Sequence, residues 1–443
     1  MKSKILSLLL LCVLVVTSVI VGCAPEAPEA RPTIKIGVLG ALDFESGKHF
    51  GYGAKMAVDE INAAGGVLVN GVRYDMEAVI VDSNEMLSVA DAVAAAENLI
   101  TLDKVNCIVG CLRSEAVLGI QDVAADYKTI YLSSSSAPEQ SMRVAKDYDR
   151  YKYWFRVGTV HSGNAGKIIF GGADLVANAV RRDLGIDTPK VAVVLEKLTW
   201  TEPMIPAAQG LLPKLGMEIV GIWQPSATAS DVTAELSDIK DSGAHMIMRV
   251  VSGPITSVLD KQWGELQIPA ALCGFNLEGT SYGFWENTMG KCNYAELTSV
   301  NADVKASDIT LPFYDNFVER YGELPLLGAT MAYDSPYILK AAIERADTLD
   351  SDALVIEIEK TDQPISNAPR CTFDPLGSEL PHEMTFGPGY MTGYSMQWQD
   401  GKLMCVWPDG RPFLGDKKWE GLRYEGTVDY KLPPWMVEYW KSK

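Results

Sequence analysis

Thr33-Ile-Lys-Ile-Gly-Val-Leu-Gly40, followed after a glycine-broken loop by Gly53-Ala-Lys-Met-Ala-Val-Asp-Glu-Ile-Asn-Ala-Ala-Gly-Gly66, decides the fold of this chain. The first stretch is a short apolar run rich in β-branched residues, the pattern of a buried strand. In the second, Ala54, Ala57, Val58 and Ile61 recur at i, i+3, i+4 and i+7, so they share one face of a helix. Two glycines close it, suited to the left-handed turn that ends helices. A strand feeding a one-faced helix is half of a β-α-β unit, and such units build parallel sheets with right-handed crossovers.

The unit repeats. Residues 76–82 predict the next strand, and Val89, Ala92, Val93, Ala96 and Ile100 trace a second helical stripe. Residues 107–110, a helix from Ser114 and residues 129–132 complete one α/β lobe. After Phe155-Arg156-Val157 the alternation restarts, with strands predicted near 191–195, 218–223, 245–251 and 270–274. Helices over 311–321 and 331–345 come too late for that second sheet, and the chain is expected to return to the first lobe near Ala302. Five of the ten tryptophans, Trp398, Trp407, Trp419, Trp435 and Trp440, crowd the end of the chain. They serve either to pin a C-terminal extension onto a lobe or to dock a partner.

Length and composition agree with two cores, since 443 residues at 47% apolar content exceed one ordinary core. The 39 basic against 57 acidic residues give a net charge of -18, a surface that repels nucleic acid and anionic headgroups. Lys2 and Lys4 precede an uncharged apolar run over residues 5–22, which reads as a secretory signal. The stretch Ile20-Val-Gly-Cys23 resembles the bacterial lipobox, which implies lipidation at Cys23; a plain anchor helix with an incidental cysteine is the alternative. Residues 24–32, with three Pro and two Glu, form a tether in either case.

Export permits disulfides among Cys107, Cys111, Cys273, Cys292, Cys371 and Cys405. Cys107 and Cys111 lie about 13 Å apart along a strand, beyond the roughly 7 Å that a bridge allows. Cys273 with Cys292 and Cys371 with Cys405 are the pairs expected. No metal site is expected, because no CxxC occurs and the histidines are only His49, His161, His245 and His382. The scarcity of histidine and the absence of GxSxG, HExxH, Walker A and GxGxxG motifs argue against an enzyme. No cofactor is expected.

Several segments together resemble the type I periplasmic binding proteins, specifically the leucine/isoleucine/valine-binding family of ABC importers. They are Ile34-Lys-Ile-Gly-Val-Leu-Gly40, Ala57-Val-Asp-Glu-Ile-Asn-Ala-Ala-Gly-Gly66, Val81-Asp-Ser83, Trp154-Phe-Arg156, Ala332-Tyr-Asp334 and Gln397-Trp-Gln-Asp-Gly-Lys402. Their order and spacing, from residue 33 to about 408, carry the resemblance. It implies two Rossmann-like α/β lobes with mostly parallel sheets, joined by a three-segment hinge, and a ligand held between them at the carboxyl ends of the strands. The expected layout is a signal peptide over 1–22, a tether over 23–32, one lobe from 33–156 plus 302–362, the other from 157–301 plus 363–408, and an extension over 409–443. The function implied is that of a monomeric extracytoplasmic solute-binding component, anchored by lipid at Cys23. It would deliver an amino acid or related small polar carboxylate or amide to ABC permease subunits. Aromatic carboxylates, amides or urea are the alternative ligands, and a sensor that presents to a receptor is the alternative role.

The resemblance also points to residues. On the third-strand loop Ser114 grips an anion or caps its own helix, and Cys111 and Arg113 depart from the small residues usual there. The loop Ser133-Ser-Ser-Ser-Ala-Pro-Glu139 aligns through Pro138-Glu139, so that Ser134 and Ser136 stand at ligand-contacting positions, turn chemistry being the alternative. Trp200 lies near an aromatic lid or packs in a core. Arg249 ends a strand where a cation could pair with a ligand carboxylate. Asn276, Glu278 and Asp334 are candidate ammonium partners, and Leu42 and Asp43 border the cleft.

Overall fold

The computed structural model describes residues 31–198, 201–281 and 283–443. The first lobe runs β1 (Thr33–Gly40), α1 (Glu45–Ala63), β2 (Val67–Val69), β3 (Val72–Asp82), α2 (Val89–Thr101), β4 (Cys107–Gly110), α3 (Ser114–Asp126), β5 (Ile130–Ser133), α4 (Glu139–Lys146), α5 (Tyr148–Tyr151) and β6 (Trp154–Arg156). Its six strands lie in the order β2-β3-β1-β4-β5-β6. All pair in parallel except β2, which folds back on β3 as a hairpin. The hairpin turns on Asn70 and Gly71, both at positive φ (47° and 77°), as a two-residue turn between twisted strands requires.

The second lobe follows with α6 (Ser162–Leu184), β7 (Lys190–Leu195), α7 (Met204–Leu211), β8 (Glu218–Trp223), α8 (Thr233–Asp241), β9 (Met246–Val251), α9 (Ile255–Glu265), β10 (Ala271–Asn276), α10 (Phe284–Asn287) and β11 (Glu296–Ser299). Its parallel sheet has the order β10-β9-β7-β8. The chain then forms α11 (Thr310–Tyr321), α12 (Leu327–Ala346), α13 (Ser351–Glu359), β12 (Gln363–Ile365), β13 (Ala368–Cys371), β14 (Tyr394–Gln399), β15 (Lys402–Trp407) and α14 (Pro434–Lys441).

Late helix α12 lies along α1 of the first lobe. The two backbones approach so closely that a Cβ on Gly53 would sit 2.1 Å from the Ala329 carbonyl oxygen, which only glycine permits. Two expected boundaries shift. The return to the first lobe is later than Ala302, because Ala302, Val304 and Ala306 pack in the second lobe's core beside Ala192 and Ile247. Residues from 363 onward, expected in the second lobe, instead send Ile365, Ala368, Cys371, Phe373, Met384 and Met391 into the same core as Ile34 and Val38. The second lobe resumes only at β14, which pairs with β11. Residues 409–443 are pinned onto the second lobe, as one of the two expected roles of the late tryptophans has it, since Phe413, Trp419, Tyr430 and Met436 share a buried cluster with Val191 and Val193.

Buried Asn367 joins the segments that run between the lobes. Its Nδ2 donates to the carbonyls of Gly158 (3.1 Å) and Val300 (3.1 Å), and its own carbonyl accepts from the Tyr394 hydroxyl.

All six described cysteines are free and buried, so the expected pairs Cys273 with Cys292 and Cys371 with Cys405 do not form. They sit on separate core elements, and burial raises their thiols well out of the reactive range, that of Cys405 to about 12. The expected lipidation site at Cys23 lies outside the described residues. Among the described residues no helix is long and apolar enough to cross a membrane.

Candidate functional site

Strand register puts the site's loops on one edge of each sheet. Gly40 pairs with Asp82, Leu39 with Gly110, Val109 with Leu132 and Ser133 with Arg156. The loops that begin at Ala41, Ser83, Cys111 and Ser134 therefore leave the first sheet together at its carboxyl edge. In the second lobe Leu195 pairs with Val250, Val194 with Trp223 and Val251 with Asn276, so loops at 196, 224, 252 and 277 share an edge too. Open parallel sheets bind ligands at such edges.

The serine loop divides its labour. Ser133 accepts from the Trp154 indole at 2.9 Å, and Ser134 donates its hydroxyl hydrogen to the Cys111 carbonyl at 3.3 Å. Ser134 is fully buried, so it ties the β4 and β5 loops together instead of offering itself to a ligand. Ser136 is half-buried and its carbonyl accepts from the Ser162 N-H at 2.7 Å, which leaves its hydroxyl uncommitted among the described residues. Behind the loop stands Arg156, fully buried, whose Nη2 donates to the Ala137 carbonyl at 2.6 Å and whose Nε pairs with Glu383 at 2.6 Å. A guanidinium fixed by a carboxylate holds that carbonyl rigidly. Its supporting role was not read from the sequence, although Phe155-Arg156 was itself part of the recognised pattern.

On the β4 loop Ser114 is the first residue of α3, whose cap position falls on Arg113 and lacks a side-chain cap bond. The capping alternative for Ser114 is thereby removed, and its half-buried hydroxyl stands at the amino end of a helix of 13 residues. Arg113 turns away from it. Nη1 donates to the carbonyls of Glu85 (3.2 Å) and Met86 (3.3 Å), and Nε pairs with Glu115. The Leu42 N-H donates to Asp82 at 3.1 Å, and Asp43 beside it is exposed.

In the second lobe Lys197, Leu198, Glu202, Ile205 and Gln224 line a cavity of about 430 Å³ at the ends of β7 and β8. A volume of this order suits a small-molecule site. Trp200 lies outside the described residues. Glu278 is exposed at the end of β10, with one oxygen accepting from the Thr256 hydroxyl at 2.6 Å.

Besides Ser134, three more expected ligand partners belong to the scaffold. Arg249 is fully buried and forked onto Asp260 (2.8 and 2.8 Å), with Nη1 on the Glu296 carbonyl. It lies two residues before the end of β9, too deep for the edge, and its charge is already matched. Asp334 is buried in α12, where Ser366 donates both its N-H and its hydroxyl to the carboxylate (2.8 and 2.8 Å). Asn276 spends its amide on the Thr256 carbonyl and on the Gly279 N-H, fixing the turn that carries Glu278. What the sequence reading missed is apolar. Phe44, Met86, Leu87, Leu198 and Leu277 are exposed, and each lies in the loop that leaves the carboxyl end of a sheet strand. Large apolar residues in strand-end loops, where turn residues are the rule, are the signal that could have found them.

Two parallel α/β lobes with polar and apolar side chains on their carboxyl edges define a two-lobed solute-binding protein. The chain belongs to the periplasmic binding protein family, whose model matches residues 33–400. It is similar to the Leu/Ile/Val-binding protein homolog 8 of Brucella melitensis, 22% identical over 383 residues, 84% of this chain and 88% of the relative. Among solved structures it resembles the branched-chain amino acid transporter substrate-binding protein LivJ of Streptococcus pneumoniae in complex with isoleucine. That likeness has a TM-score of 0.64 and 24% identity and covers 84% of this chain and 97% of that one. A solute-binding protein of an ABC transporter from R. palustris, in complex with benzoate, is similar at TM-score 0.63 and 15% identity, over 84% and 95% of the two chains. Membership of this family implies an extracytoplasmic solute-binding protein.

Proposed function

We propose that the chain binds a small carboxylate with an apolar body, a branched-chain amino acid first, between its lobes and presents it to the permease of an ABC importer. The observation that carries this reading is the pairing, on one sheet edge, of the uncommitted hydroxyls of Ser114 and Ser136 with the exposed side chains of Phe44, Met86 and Leu87. Hydroxyls and the α3 amino terminus suit a carboxylate, and the apolar group suits an aliphatic or aromatic body. Glu278 remains the second lobe's candidate for an ammonium group. The protein works as a monomer, and the lipobox-like stretch Ile20-Val-Gly-Cys23 supports its being held at the membrane by lipid on Cys23.

Calorimetry with the twenty amino acids and with benzoate tests the reading. Micromolar binding of leucine or isoleucine is expected, about 8 kcal/mol, and heat from benzoate alone would transfer the assignment to aromatic carboxylates. The second reading is favoured by the benzoate-bound neighbour and by the aromatic residue at position 200. Each of Ser114→Ala and Ser136→Ala should weaken binding by about 2- to 10-fold, the worth of roughly 0.5–1.5 kcal/mol for one hydrogen bond. If both variants bind as wild type does, the carboxylate is not held on this edge.

A further inference from the structure

We propose that Glu85 is the positioning residue of the first lobe's ligand wall: its buried carboxylate latches the loop after β3 to the loop after β4 and so sets where the Ser114 hydroxyl stands. The inference rests on the solute-binding reading above. Glu85 lies beyond the end of β3, in a loop, yet is only 1% exposed. A buried carboxylate is costly unless its oxygens are engaged. Here Oε1 accepts the Leu112 N-H at 2.8 Å and Oε2 accepts the Ser83 hydroxyl at 3.1 Å. The tie is returned in the other direction, because Arg113 donates to the carbonyls of Glu85 and Met86.

Two crossed links between neighbouring loops leave little freedom for the residues between them. Leu112 sits two positions before Ser114, and Glu85 is followed at once by the exposed Met86 and Leu87. The polar and the apolar parts of the wall are thus both referred to one carboxylate. Burial raises the Glu85 carboxyl above its ordinary range, opposed by hydrogen bonds from Cys111, the Leu112 N-H and Ser83. The acceptor oxygens matter here more than the charge, since Leu112 and Ser83 are both neutral donors.

That distinction gives the test. Glutamine can accept from the Leu112 N-H and donate to the Ser83 oxygen, whereas alanine does neither. Binding of L-isoleucine and of benzoate would be measured by calorimetry for wild type, Glu85→Ala and Glu85→Gln, with amide hydrogen exchange followed at Leu112. Glu85→Ala should weaken whichever probe binds wild type by at least about 10-fold and speed exchange at Leu112, with β1 amides unchanged. Glu85→Gln should return to within about 3-fold of wild type. Should Glu85→Ala not fold, Glu85→Asp, whose shorter chain falls short of Leu112, takes its place. Affinity unchanged in the alanine variant, or a glutamine variant as weak as alanine, overturns the proposal. If wild type binds neither probe the solute assignment fails separately, and unchanged exchange at Leu112 then overturns the latch itself.

Discussion

Arg249→Ala is expected to lower the unfolding free energy by about 3–5 kcal/mol, a large share of the roughly 5–15 kcal/mol typical of folded proteins, while having no direct effect on ligand contacts. The side chain is fully buried, and its Nε and Nη2 fork onto both oxygens of an equally buried Asp260. Truncation strands that carboxylate without its cation and also frees the Glu296 carbonyl that accepts from Nη1. Burial already raises the Asp260 carboxyl, and Arg249 is what opposes the rise. Replacing both partners by apolar residues of similar volume, Arg249→Met with Asp260→Leu, should recover much of the loss, because nothing charged is then left buried. Urea melts of the single and double variants decide the matter. A folded Arg249→Ala protein of wild-type stability that has lost its ligand would return Arg249 to the binding site.

The contrast between Arg249 and Ser136 shows which parts of this site the sequence makes legible. Element type was readable because the helical stripe over Ala54, Ala57, Val58 and Ile61 and the apolar run of β1 are local signals. Both lie where expected. The hairpin that β2 forms with β3 was not read, although Asn70-Gly71 marks its turn, because a strand of three residues is too short for a periodicity to register. Side-chain partnership is not local. Asp260 lies on the helix after β9, Glu383 far along the chain from Arg156, and Ser366 opposite Asp334; nothing in spacing announces those pairs. A charged residue in an apolar strand therefore reads the same whether it faces a ligand or a buried counter-ion. The return of residues 363–391 to the first lobe was hidden for the same reason, since that segment makes its contacts through a short hairpin and turns instead of a periodic face.

Glu296 should make the stability of this protein fall as pH rises from 4.5 to about 7. Its carboxyl is buried beneath α6, so close that a side chain at Gly172 would stand 2.6 Å from Oε1. Oε2 accepts the Gly274 N-H at 2.9 Å and the Ser395 hydroxyl also opposes the rise, but Oε1 has no close hydrogen-bond partner among the described residues. Arg249 is near, yet it is held by Asp260 and by the main-chain carbonyl of Glu296 itself. Burial therefore dominates and pushes the carboxyl up from 4.5 to about 7. Below its unfolded value both states carry the proton and the contribution is complete. Between 4.5 and about 7 the unfolded chain ionises while the folded chain holds its proton, so stability drains away as pH climbs and levels off above the folded value. A shift of this size corresponds to about 3 kcal/mol as an upper figure. Asp334, raised to about 7 by burial against the Ser366 donors, acts in the same window with the same sign. Thermal melts of wild type and Glu296→Gln across that range isolate the Glu296 part, because the variant should keep the decline that Asp334 and the other burial-raised carboxyls, Glu85 and Asp260 among them, supply. Identical pH slopes in the two proteins would mean that Glu296 is ionised throughout, and would place a donor against Oε1 that holds its charge in the core.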